Sequence, residues 1–142
     1  LRTHEDGLLW LHTGDIGHMD EEGFVFFEQR LKRMIVSSGY NIYPSQIEDV
    51  LDKHEAVAFS TVIGIPHPYK VEVAKAFIVL NPGFKPNNDT LKSIKEYCAK
   101  NISKYALPYE YEFRDDLPKT LVGKVAYKEL EEQEKNKKNK DK

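Results

Sequence analysis

An α+β fold is predicted by three features of the 142-residue sequence. Short runs rich in β-branched and aromatic residues, bounded by turn residues, mark strands. Two segments carry apolar residues at helical spacing behind helix-start signals. The order of the units from Met34 onward is hairpin, helix, strand, strand, helix, strand, loop and helix, which is the pattern of an α+β domain. The length supports one domain, or one domain plus a remnant of another.

Taken in order, Leu8-Leu9-Trp10-Leu11 and Phe24-Val25-Phe26-Phe27 flank two turn signals, Thr13-Gly14-Asp15 and Asp20-Glu21-Glu22-Gly23, and read as a β-hairpin system. So many large apolar side chains in a short segment want a partner surface, little of which need lie in this chain. Arg30, Lys32 and Arg33 then sit between two apolar runs, as a solvated joint between packed units or as a charged surface turn. Met34-Ile35-Val36 and Tyr40-Asn41-Ile42-Tyr43 read as strands, because Ser38-Gly39 between them suits a two-residue hairpin loop. Pro44 ends the ladder, and Ser45 with Glu48 forms a capping box that starts a helix carrying Ile47, Val50 and Leu51.

Val57 to Ile65 and Val71 to Leu80 read as sheet strands joined by the breaker cluster Pro66-His67-Pro68-Tyr69. Asn88-Asp89-Thr90 opens a second helix with Leu91, Ile94, Cys98 and Ile102 on one face. Tyr109 to Phe113 alternates like a third strand. From Lys128 onward both charge signs mix around one apolar Leu130, so a frayed helix and then a disordered tail are expected over residues 129–142.

The formal net charge of -2 and the interspersed signs provide no basic field, which disfavours nucleic acid as a partner. Cys98 is alone, so it forms no internal disulfide, and a reducing, cytoplasmic setting is expected. No apolar run is long enough to span a bilayer. The sequence starts at Leu1 without an initiator Met, which suggests a piece of a longer protein.

Three places carry chemistry. Asp15 reads as a turn residue bonded to its own backbone, or as a carboxylate open to hydrogen-bond donors. His12 and His18 lack further ligands at usable spacing, so no metal site is expected. Leu117 to Val125, LPKTLVGKV, is not a P-loop, because Pro118 and Val125 stand where that motif needs Gly and Ser or Thr. Lys124 is either a solvated loop lysine or a mobile point charge that follows charge building in a transition state. Lys119 is read as solvated, and Cys98 as core packing.

The segment QRLKRMIVSSGYNIYPSQIE resembles the hinge motif of the adenylate-forming superfamily, which includes acyl-CoA synthetases, peptide-synthetase adenylation domains and luciferases. Arg30, Lys32, Ile35, Gly39, Asn41, Pro44, Ile47 and Glu48 match its pattern, while Gln29, Arg33 and Ser38 depart from it. The first segment resembles the last strands of the family's large N-terminal domain. LPKTLVGKV resembles its final motif, although Val125-Ala126-Tyr127 follows in place of the usual Arg. Pro66-His67 and Val71-Glu72 also replace the usual Pro-Asp and Gly-Glu.

The resemblance implies a remnant of the large domain over 1–31 and the small C-terminal lid domain over 32–128, built from a β-hairpin and a three-stranded sheet packed by helices. It implies adenylation by Lys124, nucleotide contacts from Asp15 and Arg30, a hinge at Lys32, and a thiol channel lined by Ser37, Ser38, Gly39, Tyr40 and Asn41. The implied activity is an ATP-dependent, AMP-forming ligase joining a carboxylic acid, a fatty acid by the look of NIYPSQIEDVL, to coenzyme A. The magnesium contacts and the acyl pocket would lie in the missing large domain, so the fragment alone would be inactive. Two alternatives stand beside it: an adenylation domain that loads a carrier protein, and a non-enzymatic α+β binding module.

Overall fold

In a computed structural model of the chain, residues 1–140 are described, with side chains described through 137. The chain divides between Arg33 and Met34 into two compact units.

The first unit is made of two antiparallel ribbons. β1 (Arg2–Thr3) pairs with β2 (Leu9–Trp10), and β3 (Asp15–Met19) pairs with β4 (Val25–Arg30). The β3–β4 turn is closed by Asp20, whose carboxylate accepts the backbone N–H of Glu22 and of Phe24. A register shift follows Ile16, and Gly17 is required there because a Cβ would collide with the Phe26 carbonyl. Trp10 is half exposed, and Phe24 and Phe27 are more so. These ribbons therefore make little core of their own. A single 3₁₀ turn, Leu31–Arg33, ends the unit.

The second unit has one five-stranded sheet between helices. Its elements are β5 (Ile35–Ser37), β6 (Tyr40–Ile42), α1 (Pro44–Leu51), β7 (Val57–His67), β8 (Val71–Leu80), α2 (Asn88–Asn101), β9 (Glu110–Phe113) and α3 (Tyr127–Lys140). The order is β6-β5-β8-β7, with β9 parallel to β8 and the other pairs antiparallel. Instead of standing beside a three-stranded sheet, the hairpin joins it through the pair Ser37 and Val71.

Alternation along β8 sends its side chains to two cores. Ala74, Ala76 and Ile78 pack with Ile35, Ile42, Ile47, Leu51, Ile94 and Cys98 beneath α1 and α2. Val73 and Phe77 pack with Ile63, Ile65, Leu117 and Leu130 on the α3 side. Each fully buried Leu, Ile or Phe contributes roughly 1.5–3 kcal/mol relative to exposure.

Two local readings are corrected. Ser45 is not the cap of α1: Tyr43 occupies the N-cap position with no side-chain bond, Pro44 takes the first turn, and the Glu48 carboxylate instead accepts Thr61 Oγ1–H at 3.1 Å and the Val62 N–H at 2.8 Å on β7. α2 opens at Asn88 as expected, and the Asn87 side chain caps it by accepting the Thr90 N–H at 2.9 Å. Where a frayed helix and then a disordered tail were expected over 129–142, the chain is helical through Lys140; residues 141 and 142 lie outside the described part. The reason is a stripe at i, i+4 and i+7: Leu130 is fully buried, and Glu134 and Lys137 find charged partners on the sheet.

Candidate functional site

In the first unit Asp15 and Arg30 are cross-strand partners at the open end of the β3–β4 ribbon. Arg30 Nε donates to Asp15 Oδ1 at 2.8 Å, and the Asp15 N–H donates to Thr13 Oγ1 at 3.2 Å. The guanidinium is two-thirds exposed, so the pair orients the carboxylate more than it stabilises the fold, being worth roughly 0–1 kcal/mol. Asp15 faces an open groove of about 850 Å³ shared with Trp10, His12, Thr13, Leu31 and Lys32. Lys32 stands mid-turn, and the Leu31 N–H donates to the Gly14 carbonyl at 2.8 Å, which ties this turn to the Thr13-Gly14-Asp15 loop. Among the described residues, no group of three His, Cys, Asp or Glu side chains could hold a metal ion.

In the second unit the β5–β6 hairpin turns through Ser38 and Gly39 with φ of 49° and 83°, both left-handed, as the two-residue loop requires. The Ser38 N–H donates to the Lys70 carbonyl at 3.0 Å, and the Val36 N–H to Glu72 Oε2 at 3.2 Å. Val71 between those partners has φ of 70°, a strained value for a β-branched residue, and it is held there by its pairing with Ser37. Tyr40 stacks on Tyr105 with ring centroids 4.9 Å apart. Next to it lies a cavity of about 210 Å³ lined by Asn41, Tyr43, Gln46, Ile102 and Tyr105 among others. Ser37 is buried in the ladder; Ser38, Gly39, Tyr40 and Asn41 are exposed.

Lys124 ends a tight loop closed by its own backbone. The Thr120 N–H donates to the Lys124 carbonyl at 2.6 Å, the Gly123 N–H to the Thr120 carbonyl at 2.8 Å, and the Lys124 N–H to Thr120 Oγ1 at 3.2 Å. Gly123 supplies the φ of +78° that the turn needs. Leu121 at the tip is fully exposed, and Lys124 is exposed. The stems are fixed: Lys119 bridges Val125, the Ala126 N–H donates to the Pro118 carbonyl at 2.8 Å, and Leu117 is buried in the α3-side core. The structure thus brings Asp15 and Arg30 together in the first unit. It seats the hairpin's Ile35 and Ile42 in the core beneath α1 and α2, while the Lys124 loop rises from the core on the other sheet face.

Sequence reasoning missed a buried charge cluster. Lys75, in the middle of β8, is 5 % exposed, with Nζ at 2.7 Å from Glu134, 2.9 Å from Glu112 and 3.3 Å from Glu110. Burial opposes its charge, and hydrogen bonds to Glu134 and Glu112 outweigh that and hold its pKa above the ordinary value. The signal was present: a lysine on the face shared by Val73 and Phe77 needs a partner.

A family model described as the AMP-binding enzyme C-terminal domain matches residues 46–124. The chain belongs to this family. Among relatives of this AMP-binding enzyme C-terminal domain, the long-chain-fatty-acid–CoA ligase of Bacillus subtilis (strain 168) is 44% identical over 125 residues, covering 88% of the chain and 22% of the relative. Among solved structures, ATP-bound MatB from Rhodopseudomonas palustris superposes with a TM-score of 0.81 at 32% identity, over 92% of this chain and 25% of that one. The Mycobacterium tuberculosis fatty acyl CoA synthetase superposes with a TM-score of 0.72 at 35% identity, over 92% and 25%. The α+β architecture is that of the small C-terminal domain of adenylate-forming enzymes. The chain spans about a fifth of the length of the curated relatives it matches.

Proposed function

We propose that this chain is the C-terminal part of an ATP-dependent, AMP-forming carboxylate–CoA ligase, with a fatty acid as the acid. In this reading residues 1–31 belong to a large domain lying mostly outside the chain, and 32–128 form the lid, with α3 continuing it. The acid and ATP give an acyl-adenylate and pyrophosphate; the thiol of coenzyme A then displaces AMP. The names of the relatives favour coenzyme A over a carrier protein as the acceptor.

The observation that carries the reading is the Lys124 loop: a cation on a hydrogen-bonded turn, exposed at its tip and fixed at its stems. Such a charge can follow the negative charge that builds between a carboxylate oxygen and the α-phosphate, with little reorganisation. Asp15, oriented by Arg30, would accept the ribose hydroxyls of ATP, and Arg30 would contact the nucleotide. Lys32 would be the pivot. The loop and the hairpin rise from opposite cores, which supports a lid that offers two faces in turn, the second lining the thiol channel with Ser37, Ser38, Gly39, Tyr40 and Asn41. Magnesium would be held in the large domain. The chain alone would be inactive. A cytoplasmic setting is supported by the single, buried Cys98.

In the enzyme containing this domain, Lys124→Ala lowers the adenylation rate by roughly 10²–10³, the scale for one preorganised charge stabiliser. Thioester formation from a supplied acyl-adenylate stays largely intact. Equal losses in both half-reactions would remove Lys124 from this role.

A further inference from the structure

We propose that the buried ion pair between Lys75 on β8 and Glu134 on α3 positions the Lys124 loop, holding its C-terminal stem in the geometry that adenylation needs. This deepens the Lys124 assignment above and rests on it. Neither residue touches substrate in this scheme; both act through α3.

The covalent path is short. Only Val125 and Ala126 separate Lys124 from the start of α3 at Tyr127, so a displacement of the helix is passed directly to the lysine. The N-terminal stem has an apolar anchor of its own in Leu117. The C-terminal stem is tied to it by the Lys119–Val125 bridge and the Ala126–Pro118 hydrogen bond, with Val125 half-buried on the same core, and it then runs straight into α3, which contributes little apolar surface of its own. Among its described residues Leu130 is the fully buried apolar side chain, with Tyr127 half-buried at the helix start.

One turn further on, the contact is ionic. Glu134 Oε2 accepts from Lys75 Nζ at 2.7 Å, and both partners are more than nine-tenths buried. Around them Lys75 also meets Glu112 and Glu110, Lys137 bridges Glu112 and Glu134 at 3.0 Å each, and Arg114 reaches Glu112 at 2.6 Å and Gln133 Oε1 at 3.2 Å. A buried lysine tolerates few positions of its counter-ion, so the pair sets the axial position and rotation of α3 more sharply than one leucine can. Removing Glu134 leaves Lys75 with Glu112 and Glu110 on β9 as its counter-ions, so the buried tie from β8 to α3 is lost and the helix shifts on its seat.

A test uses the enzyme containing this domain, with Glu134→Gln and the apolar pair Lys75→Met with Glu134→Leu. Adenylation is followed by ATP–pyrophosphate exchange, thioester formation from supplied acyl-adenylate, and loop order by amide exchange over residues 120–127. Glu134→Gln is expected to lower adenylation roughly 10- to 100-fold, as for a misplaced catalytic group, to leave the second half-reaction unchanged, and to speed amide exchange in 120–127. The apolar pair is expected to reseat α3 and recover most of the adenylation rate, as well-packed replacements of buried ion pairs do.

Equal loss in both half-reactions, or unchanged exchange in 120–127, would overturn the positioning role. Lys124→Ala run in parallel separates the two ideas. Normal adenylation in that variant sinks the Lys124 assignment and the catalytic consequence drawn here, whereas accelerated loop exchange in Glu134→Gln still shows the mechanical coupling.

Discussion

Glu112 is the carboxylate on which three cations converge, with Arg114 at 2.6 Å, Lys75 at 2.9 Å and Lys137 at 3.0 Å. Burial pushes its pKa up, but the hydrogen bonds from Lys75 and Lys137, with Arg114 adding to them, bring it down to about 2. Glu134 is buried too, and Lys75 and Lys137 likewise hold it below its ordinary value. A carboxylate whose folded pKa is depressed contributes stability that is complete above its unfolded value and is lost as pH falls through the folded one. The contribution is therefore full above pH 4.5, the ordinary value, and fades as pH falls toward about 2. Lys75, raised, contributes below its ordinary value of 10.5 and loses that contribution at still higher pH. Denaturant midpoints of the chain followed by helical circular dichroism should fall steeply between pH 4.5 and 2, and less steeply in Glu112→Gln. A slope unchanged by that substitution would mean that other carboxylates carry the acid sensitivity.

Among the elements, the 3₁₀ turn at Leu31–Arg33 is the one on which a rotating lid would depend. Lys32→Pro fixes φ at the pivot and forces Leu31 out of its helical conformation, so the turn should stiffen. In the full enzyme, thioester formation should fall more than adenylation; single-turnover rates for each half-reaction would show it, and normal rates in both would place the pivot elsewhere. Elements whose signals are local were legible in the sequence. Ser38-Gly39 forms the left-handed two-residue turn, and β8 lies where its β-branched run puts it, whereas β7 runs on through Pro66 and His67, which read as part of the breaker cluster. Glu48 was misread because its real partners, Thr61 and Val62, come from another strand, and a spacing of three residues back to Ser45 mimicked a cap. The extent of the helix after Lys128, expected frayed and then disordered, was misread for the same reason. Its buried face is completed by Lys75, 59 residues earlier in sequence, which no window on the tail contains. Of the candidate site residues, the pairing of Asp15 with Arg30 was not read from the sequence, because it depends on the β3–β4 register with its shift after Ile16, and the strain at Val71 leaves no trace in composition.

For the whole molecule, the two units differ in how much core they own. The sheet unit buries Ile35, Ile47, Leu51, Phe77, Ile94 and Leu130 almost completely, while the ribbons up to Arg33 leave Leu9, Trp10, Phe24 and Phe27 in solvent. Amide exchange in dilute monomer should therefore be slow in β7 and β8 and fast throughout Leu1–Arg33. Protection of residues 15–27 equal to that of β8 would show that the ribbons share the same cooperative unit. The buried Lys75 also constrains the order in which the sheet unit can be completed. A chain made from its N-terminus has β5 to β8 in hand long before Glu110, Glu112 and Glu134 exist, so Lys75 must stay hydrated and that face of β8 must stay open. Parallel pairing of β9 with β8 waits for α2 and its flanking loops, and the last counter-charge arrives only with α3. The final helix is thus the step that lets the lysine leave water, and nascent chains ending before Glu134 should hold their sheet with one face still wet.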